Sequence, residues 1–260
     1  MSVYAAEKPI FLEESIKSVL SQTIPTDDFV IVCDGPLTPD LYSILDKYQD
    51  KLHIIKSPVN EGLGKALSKG LIECKNNIVA RMDSDDISFP NRMEKQLSAF
   101  EKNPDISLIS GTVVEFSEST SNIRGKREVP QTPEEIRKFS RKRNPFNHPS
   151  IMFRKDAVDK AGGYNEDYHL FEDYYLWIRM LMNGCHGINL QDNLVYMRVD
   201  DNTMLRRGGL SYAKDMLSFH NWMRKSKWSS LGDFVTGALP HAIVCILPKG
   251  IRKAVYKRLH

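Results

Sequence analysis

The strongest constraint in this chain is a rhythm in its first half. A short run rich in Val and Ile gives way to a turn and then to a stretch whose apolar residues recur every three and four positions. Such a repeat builds βαβ units around a parallel sheet. The expected strands are Phe29 to Cys33, Leu52 to Lys56, Ile78 to Met82 and Ile106 to Ser110, with Ser2 to Tyr4 as a truncated first strand. Leu12, Ile16, Val19 and Leu20 form one helical face, and Leu41, Ile44, Leu45 and Tyr48 a second. Leu63, Ala66, Leu67, Gly70, Leu71 and Cys74 form a third. Faces of this kind must pack on a sheet, so the expected fold class is α/β, a mostly parallel central sheet flanked by helices.

After Gly111 the pattern loosens. A polar stretch runs from Ser117 to Lys126, a helix is expected from Thr132 to Lys142 with Pro133 near its first position, and Pro149 to Phe153 reads as a strand. A helix from about Phe171 to Asn183 should stop at Gly184, and Leu194 to Val199 reads as the last strand. Nothing up to residue 205 reads as a separate domain, so residues 1–205 are expected to form one unit and 206–260 a helical, basic carboxyl-terminal extension.

Composition narrows the class. With 41% hydrophobic and 27% charged residues, the 260-residue chain is neither disordered, collagenous nor a polytopic membrane protein. Cys33, Cys74, Cys185 and Cys245 lie far apart with no CxxC or Cys/His cluster, which argues against a zinc site or a disulfide scaffold and fits a reducing cytoplasm. No charged segment followed by an apolar run opens the chain, so export is not expected.

The net charge of +3 hides an asymmetry. From Met204 to His260 there are 11 Lys+Arg against 2 Asp+Glu, leaving 25 against 31 elsewhere. Trp222, Trp228, Phe234 and Tyr256 interleave with the basic residues. The apolar run between Pro240 and Pro248 falls far short of the roughly 20 residues that span a bilayer. The segment therefore reads as one that lies on an anionic membrane surface rather than crossing it. Nucleic acid is the competing partner for a basic patch, but no helix-turn-helix, RNP or zinc-finger pattern accompanies it. A plain solvated helix packed on the domain is the remaining alternative.

In an open α/β sheet ligands bind where strands end, so the residues after each strand matter most. Three of these ends are acidic or polar: Asp34-Gly35, Asn60-Glu61-Gly62 and Asp83-Ser84-Asp85-Asp86. Asp34-Gly35 alone is also compatible with a simple turn. The third is stronger, because three carboxylates in four residues repel one another beyond what a turn requires, and a divalent cation relieves that repulsion. An all-oxygen site selects Mg2+ or Mn2+ over zinc, with phosphates completing the shell. The alternative is a solvated turn that caps the next helix. No GxGxxG follows the first strand and no GxxxxGK[ST] occurs, which leaves a metal-held diphosphate without a glycine cradle. A second acidic pair, Glu172-Asp173, opens a helix after Gly162-Gly163-Tyr164-Asn165-Glu166, read as a flexible approach for substrate. Asp173 is either a first-turn carboxylate favoured by the helix dipole or a general base that takes a proton from a sugar hydroxyl.

Several blocks in order resemble the inverting, GT-A-fold glycosyltransferases of family 2, over nearly the whole chain to about residue 205. They are Glu14-Ser15-Ile16-Lys17-Ser18-Val19-Leu20-Ser21-Gln22-Thr23, Asp34, Asn60-Glu61-Gly62-Leu63-Gly64-Lys65-Ala66-Leu67, Arg81-Met82-Asp83-Ser84-Asp85-Asp86 and Glu172-Asp173-Tyr174-Tyr175-Leu176-Trp177. The resemblance implies a nucleotide-diphospho-sugar transferase fold. It assigns Asp34 to the nucleotide base, Asp83 and Asp85 to ribose and metal (Mn2+ or Mg2+), and Asp173 to the catalytic base. Asn60, Arg81, Arg198, Arg206 and Arg207 join the nucleotide-sugar side, the last three by closing over the diphosphate or as plain surface charge. His148 and Glu172 are placed on the acceptor side, with a buried, satisfied histidine as the alternative for His148.

Val32-Cys33-Asp34-Gly35-Pro36-Leu37-Thr38 and Asn147-His148-Pro149-Ser150-Ile151-Met152-Phe153 narrow the resemblance to bacterial enzymes that build O-antigen or exopolysaccharide repeats. That group implies β1,3 transfer of a hexose, glucose in the first instance, from a UDP-sugar to an N-acetylhexosamine-diphospho-undecaprenol. It implies a peripheral position on the cytoplasmic face of a bacterial inner membrane. Galactose is the alternative donor sugar. A QxxRW motif is missing, which argues against a processive synthase. From other classes, a sugar-phosphate nucleotidyltransferase would need a glycine-rich basic loop where Ala5-Ala6-Glu7-Lys8 stands, and a non-catalytic membrane adaptor would have lost its acids.

Overall fold

The computed structural model describes residues 1–165, 167–168, 170–200, 208–248, 250 and 252. In chain order the elements are β1 (Ser2–Val3), α1 (Pro9–Leu20), β2 (Val30–Cys33), α2 (Pro39–Lys47), β3 (His53–Lys56), α3 (Leu63–Glu73), β4 (Ile78–Ala80), β5 (Ile87–Ser88) and α4 (Arg92–Lys102). The second half continues with β6 (Ile106–Ser117), β7 (Ser119–Arg127), α5 (Pro133–Phe139), β8 (Met152–Arg154), α6 (Lys155–Lys160), α7 (Glu172–Met182), β9 (His186–Arg198), α8 (Leu210–Lys225) and α9 (Leu239–Ile246).

β1, β2 and β3 pair in parallel with β2 in the middle, as the opening rhythm predicts. A parallel bridge from Ser2 to Asp83 links them to a mixed sheet ordered β4-β8-β6-β9-β5. There β8 runs antiparallel to both neighbours while β6 and β9 are parallel. Two segments differ from expectation. Pro149 lies in a 3-10 turn, His148–Ser150, with β8 following it, since proline has no amide to give a central strand. The polar stretch after Gly111 is a hairpin arm, β7 on β6, whose exposure alternates along the strand.

Local chemistry sets the helix ends. Pro9, Pro39 and Pro133 stand in first turns, where a missing amide costs nothing, and Thr132 forms a capping box with Glu135. α7 ends as expected at Gly184 (φ +84°), with Gly184 N donating to Leu181 O and Cys185 N to Met180 O.

The core is in connected patches. Leu12, Ile16 and Val19 of α1 and Leu41 and Leu45 of α2 pack on Ile31 and Cys33 of β2. On the other side the fully buried Trp177 of α7 meets Phe146, Phe153 and Tyr164 edge-on or tilted. α8 lays Ala213, Met216, Phe219 and Met223 into this same patch, with Phe219 4.8 Å from Tyr174 and Trp222 4.6 Å from Tyr175 between ring centres. Complete burial of Phe219 contributes about 2–3 kcal/mol. α8 thereby clamps the first turn of α7, which carries Glu172 and Asp173. A cavity of about 590 Å3 runs from Met1, Phe29, Val30 and Asn77 at the amino ends of the strands to Arg81, Met82 and Tyr164 beside the acidic turn.

Candidate active site

The parallel strands deliver their turns to one edge. β2 ends at Asp34, which is buried and accepts hydrogen bonds from the Glu61 amide at 2.8 Å and the Gly62 amide at 3.1 Å. Gly62 (φ +91°) is the residue before α3, so Asp34 anchors the amino end of that helix. Gly35 makes the close approach possible: a Cβ there would sit 2.7 Å from the Asn60 amide nitrogen. Asn60 is exposed and turns its own Oδ1 onto the Gly62 amide at 3.2 Å. Asp34 and Asn60 therefore stand at one corner of the edge, with Asp34 already engaged by backbone donors.

β4 delivers the dense acidic turn. The buried Arg81 forms a two-pronged ion pair with Asp83, and its carbonyl accepts from the fully buried Arg92 at 2.8 Å. Ser15 of α1 donates to the Asp83 carbonyl at 2.7 Å. Loss of solvent, then the charges of Asp83 and Glu7, push the Asp85 carboxyl up to about 7. Asp86 is 1% exposed and is raised well above the usual carboxylate range by burial and by Asp83 and Asp85; its Oδ2 has no hydrogen-bond partner among the described residues. Glu7 completes the acid group and accepts from Ser84 at 2.6 Å.

These residues fit a hard divalent cation. The donors are all carboxylate oxygens, and Asp85 stands in excess negative charge that no turn needs. Among the described residues no three His, Cys, Asp or Glu side chains form a ready-made cage. An ion at Asp85 would be held through one or two carboxylates, with phosphate oxygens as the rest of its shell. Both Asp83 oxygens are taken by Arg81, which leaves Asp85 as the better-placed ligand.

The second acidic group shares a neighbour with this turn, Tyr164, which lies within electrostatic reach of both. Asp173, in the first turn of α7, accepts from Asn144 Nδ2 at 2.7 Å on Oδ2 and from the Tyr174 amide at 2.7 Å on Oδ1. Tyr164 feels the charges of Arg81, Asp173 and Asp83, and burial holds its phenol protonated far above neutrality. Its hydroxyl is 3.1 Å from His148 Nε2. Loss of solvent and the charge of Arg81 hold His148 well below the usual histidine range, so the ring is neutral. Glu172 is partly exposed and accepts from the Leu170 amide at 3.1 Å.

Two expectations change. Gly162 and Gly163 do not form a free approach, because Arg179 donates to the carbonyls of Ala161 and Gly163, both at 2.6 Å, and fixes the turn. Arg198 is not a mobile arm over the diphosphate. It ends β9 with its side chain 9% exposed, donating its backbone amide to Asp86 Oδ1 at 2.8 Å and its Nε to the Asp85 carbonyl at 3.0 Å. Its guanidinium pairs with Glu14 at 2.6 Å and lies 3.7 Å from the Phe11 ring centre. Arg206 and Arg207 lie outside the described residues.

The structure thus gathers Arg81, Asp83, Asp85, His148 and Asp173, with Asp34 and Asn60 at the neighbouring strand ends. Sequence reasoning gives no role to Glu7, Glu14, Asn144 or the Tyr164 hydroxyl. Glu14 stands in the quoted helix block, but only the fold shows that it faces β9.

Residues 1–162 match the family described as glycosyl transferase family 2. An Escherichia coli protein, UDP-Gal:alpha-D-GlcNAc-diphosphoundecaprenol beta-1,3-galactosyltransferase, is 36% identical over 261 residues, covering 100% of this chain and 94% of its own. The amylovoran biosynthesis glycosyltransferase AmsE of Erwinia amylovora is 36% identical over 99% of this chain and 97% of its own. In solved structures, the mannosyltransferase PcManGT of Pyrobaculum calidifontis, in complex with GDP-Man and Mn2+, superposes with a TM-score of 0.64 at 16% identity, over 99% of this chain and 79% of its own. Staphylococcus aureus TarS gives 0.62 at 18% identity, over 83% of this chain and 37% of its own. These likenesses establish a GT-A-type fold.

Proposed function

Because the chain belongs to glycosyl transferase family 2, we propose that it transfers a hexose from a UDP-sugar to an N-acetylhexosamine-diphospho-undecaprenol during assembly of an O-antigen or related repeat. The observation that carries this reading is an over-charged Asp83-Asp85 turn together with an oriented Asp173 in the first turn of α7, both within electrostatic reach of Tyr164. The relative that acts on GlcNAc-diphosphoundecaprenol, similar along the whole chain, supports the acceptor.

Asp173 takes the proton of the acceptor hydroxyl as that oxygen attacks the anomeric carbon from the face opposite UDP, and one displacement inverts the configuration. Asn144 and the Tyr174 amide hold the carboxylate for that transfer. Asp34 and Asn60 border the nucleoside, Arg81 holds Asp83 at the ribose and diphosphate side, and Glu172 and neutral His148 border the acceptor. Asp85, with Asp83, would hold Mn2+ or Mg2+, which when bound offsets the charge of departing UDP. The lipid-linked acceptor places the enzyme on the cytoplasmic face of an inner membrane, with residues 1–205 as the transferase unit and 206–260 as its membrane-facing extension. The sequence blocks favour glucose as the donor sugar; the galactosyltransferase relative favours galactose.

A panel of radiolabelled UDP-sugars offered with synthetic GlcNAc- and GalNAc-α-diphosphate-lipids, in Mn2+ and in EDTA, tests all of this. Metal-dependent product from one donor is expected. Pyrophosphate exchange without sugar transfer would instead indicate a nucleotidyltransferase.

A further inference from the structure

Between Asp233 and Lys249 the chain carries no Asp, Glu, Lys or Arg. This stretch continues from one α-turn, Leu231–Asp233, through a π-helical segment, Phe234–Ala238, into α9. Its two faces differ. Ala238, Ala242 and Cys245 are buried, and the last two join the core patch that α8 also fills. Leu231, Val235, Leu239, Ile243 and Ile246, spaced four, four, four and three apart, are exposed, Leu231 at 63% and Ile243 at 58%. Small residues hold the helix to the body while large apolar ones form a stripe in water, the reverse of what a packed surface helix needs.

A second feature borders that stripe. Arg137, Lys138, Arg141, Lys142 and Arg143 place five exposed cations in seven residues at the end of α5. Contacts with the carboxyl-terminal segment hold them there, among them an ion pair of Lys142 with Asp233 at 3.7 Å. The Arg137 guanidinium lies 4.5 Å from the Trp228 ring centre, Trp228 Nε1 donates to Ser140 Oγ at 3.2 Å, and the Lys142 stem lies against Gly237, whose added Cβ would meet it at 3.0 Å. The next residue is Asn144, the partner of Asp173.

The geometry points to one membrane-contact surface, in which the Leu231-to-Ile246 stripe enters the acyl boundary of an anionic bilayer while the Arg137-to-Arg143 cations meet its headgroups. Charge complementarity selects the occupant: a second copy would bring the same five cations against themselves, whereas an anionic leaflet attracts them. The surface gives its role to the lipid-linked acceptor reading above, since it sets the bilayer beside Asn144 and Asp173, but its test does not need that acceptor.

Flotation of the full chain with phosphatidylcholine vesicles, with and without phosphatidylglycerol, reads the surface directly. Wild type should float with the anionic vesicles and be released by high salt. At roughly fivefold per cation near such a surface, Lys138→Gln with Arg141→Gln should weaken binding roughly 30-fold, and Ile243→Gln should abolish stable binding. Both variants alter exposed residues, and thermal unfolding should match wild type. If both variants float like wild type, or if wild type ignores anionic vesicles or instead self-associates in sedimentation through Ile243, the surface is wrong. Transfer to a short-chain, water-soluble diphosphate acceptor separates the two readings. Unchanged transfer by variants that no longer float supports the surface, and vesicle binding without any transfer sinks the acceptor reading while leaving the surface intact.

Discussion

Asn144 donates its side-chain amide to Oδ2 of Asp173 over 2.7 Å, a bond between residues 29 apart in the chain. With the Tyr174 amide on Oδ1, it fixes the plane of a carboxylate at the mouth of α7. Asp173→Asn keeps the shape and removes the proton acceptor, so transfer should fall by about 10²- to 10⁴-fold while UDP-sugar binding by calorimetry stays within a few-fold. Turnover near wild type would remove Asp173 as the base. Asn144→Ala loses only the orientation, and kcat should drop about tenfold with KM little changed.

Asp85 should carry the metal dependence. Asp85→Ala is expected to abolish the Mn2+-dependent part of UDP binding in a titration, leaving a weaker, EDTA-insensitive remainder. Equal binding by mutant and wild type in Mn2+ would move the cation elsewhere.

The same carboxyl gives the cation-free protein an unusual response to pH. Its pKa is pushed from the ordinary 3.8 of an aspartate up to about 7 in the fold, so the native state binds more protons than the unfolded chain between those values. This group's contribution therefore falls as pH rises from about 4 toward 7. In EDTA the midpoint of thermal unfolding should be higher near pH 5 than near pH 8. Mn2+ should restore stability at the higher pH, because the cation replaces the protons. A midpoint indifferent to both would contradict the crowding at Asp85.

Arg198 should prove structural. Glu14 is 44% exposed, so that ion pair is screened and contributes little. The bond to the Asp85 carbonyl and the rings of Phe11 and Phe116 carry the effect. Arg198→Gln should cost about 2 kcal/mol and lower the unfolding midpoint by roughly 4–8 °C. If UDP affinity fell with no change in stability, Arg198 would belong to the donor site instead.

Much of the parallel half was legible because its strands are buried apolar runs and its helices amphipathic, so Ile31, Leu41 and Leu67 announce their own positions. β7 escaped because Ser119 to Arg127 is polar on both faces and only its pairing with β6 makes it a strand. The acids were legible for different reasons: Asp83 and Asp85 crowd like charges into one strand-end turn, which is costly, and Asp173 stands beside Glu172 at the start of a helix. Their supports were not. Asn144, Tyr164 and Glu14 are ordinary polar residues whose significance lies in partners 16 to 184 positions away.

The tie between Arg198 and the acidic turn also bears on how the protein is made. The two residues joined by the Arg198 amide and Asp86 Oδ1 are separated by 112 positions. At roughly 5–20 residues per second, a ribosome needs about 6–22 seconds to deliver the second after the first. During that interval the nascent chain carries its carboxylates without the strand end that braces them. The brace on the acidic turn thus waits on β9, and a chain that stalls before residue 198 holds Asp83, Asp85 and Asp86 but not their frame.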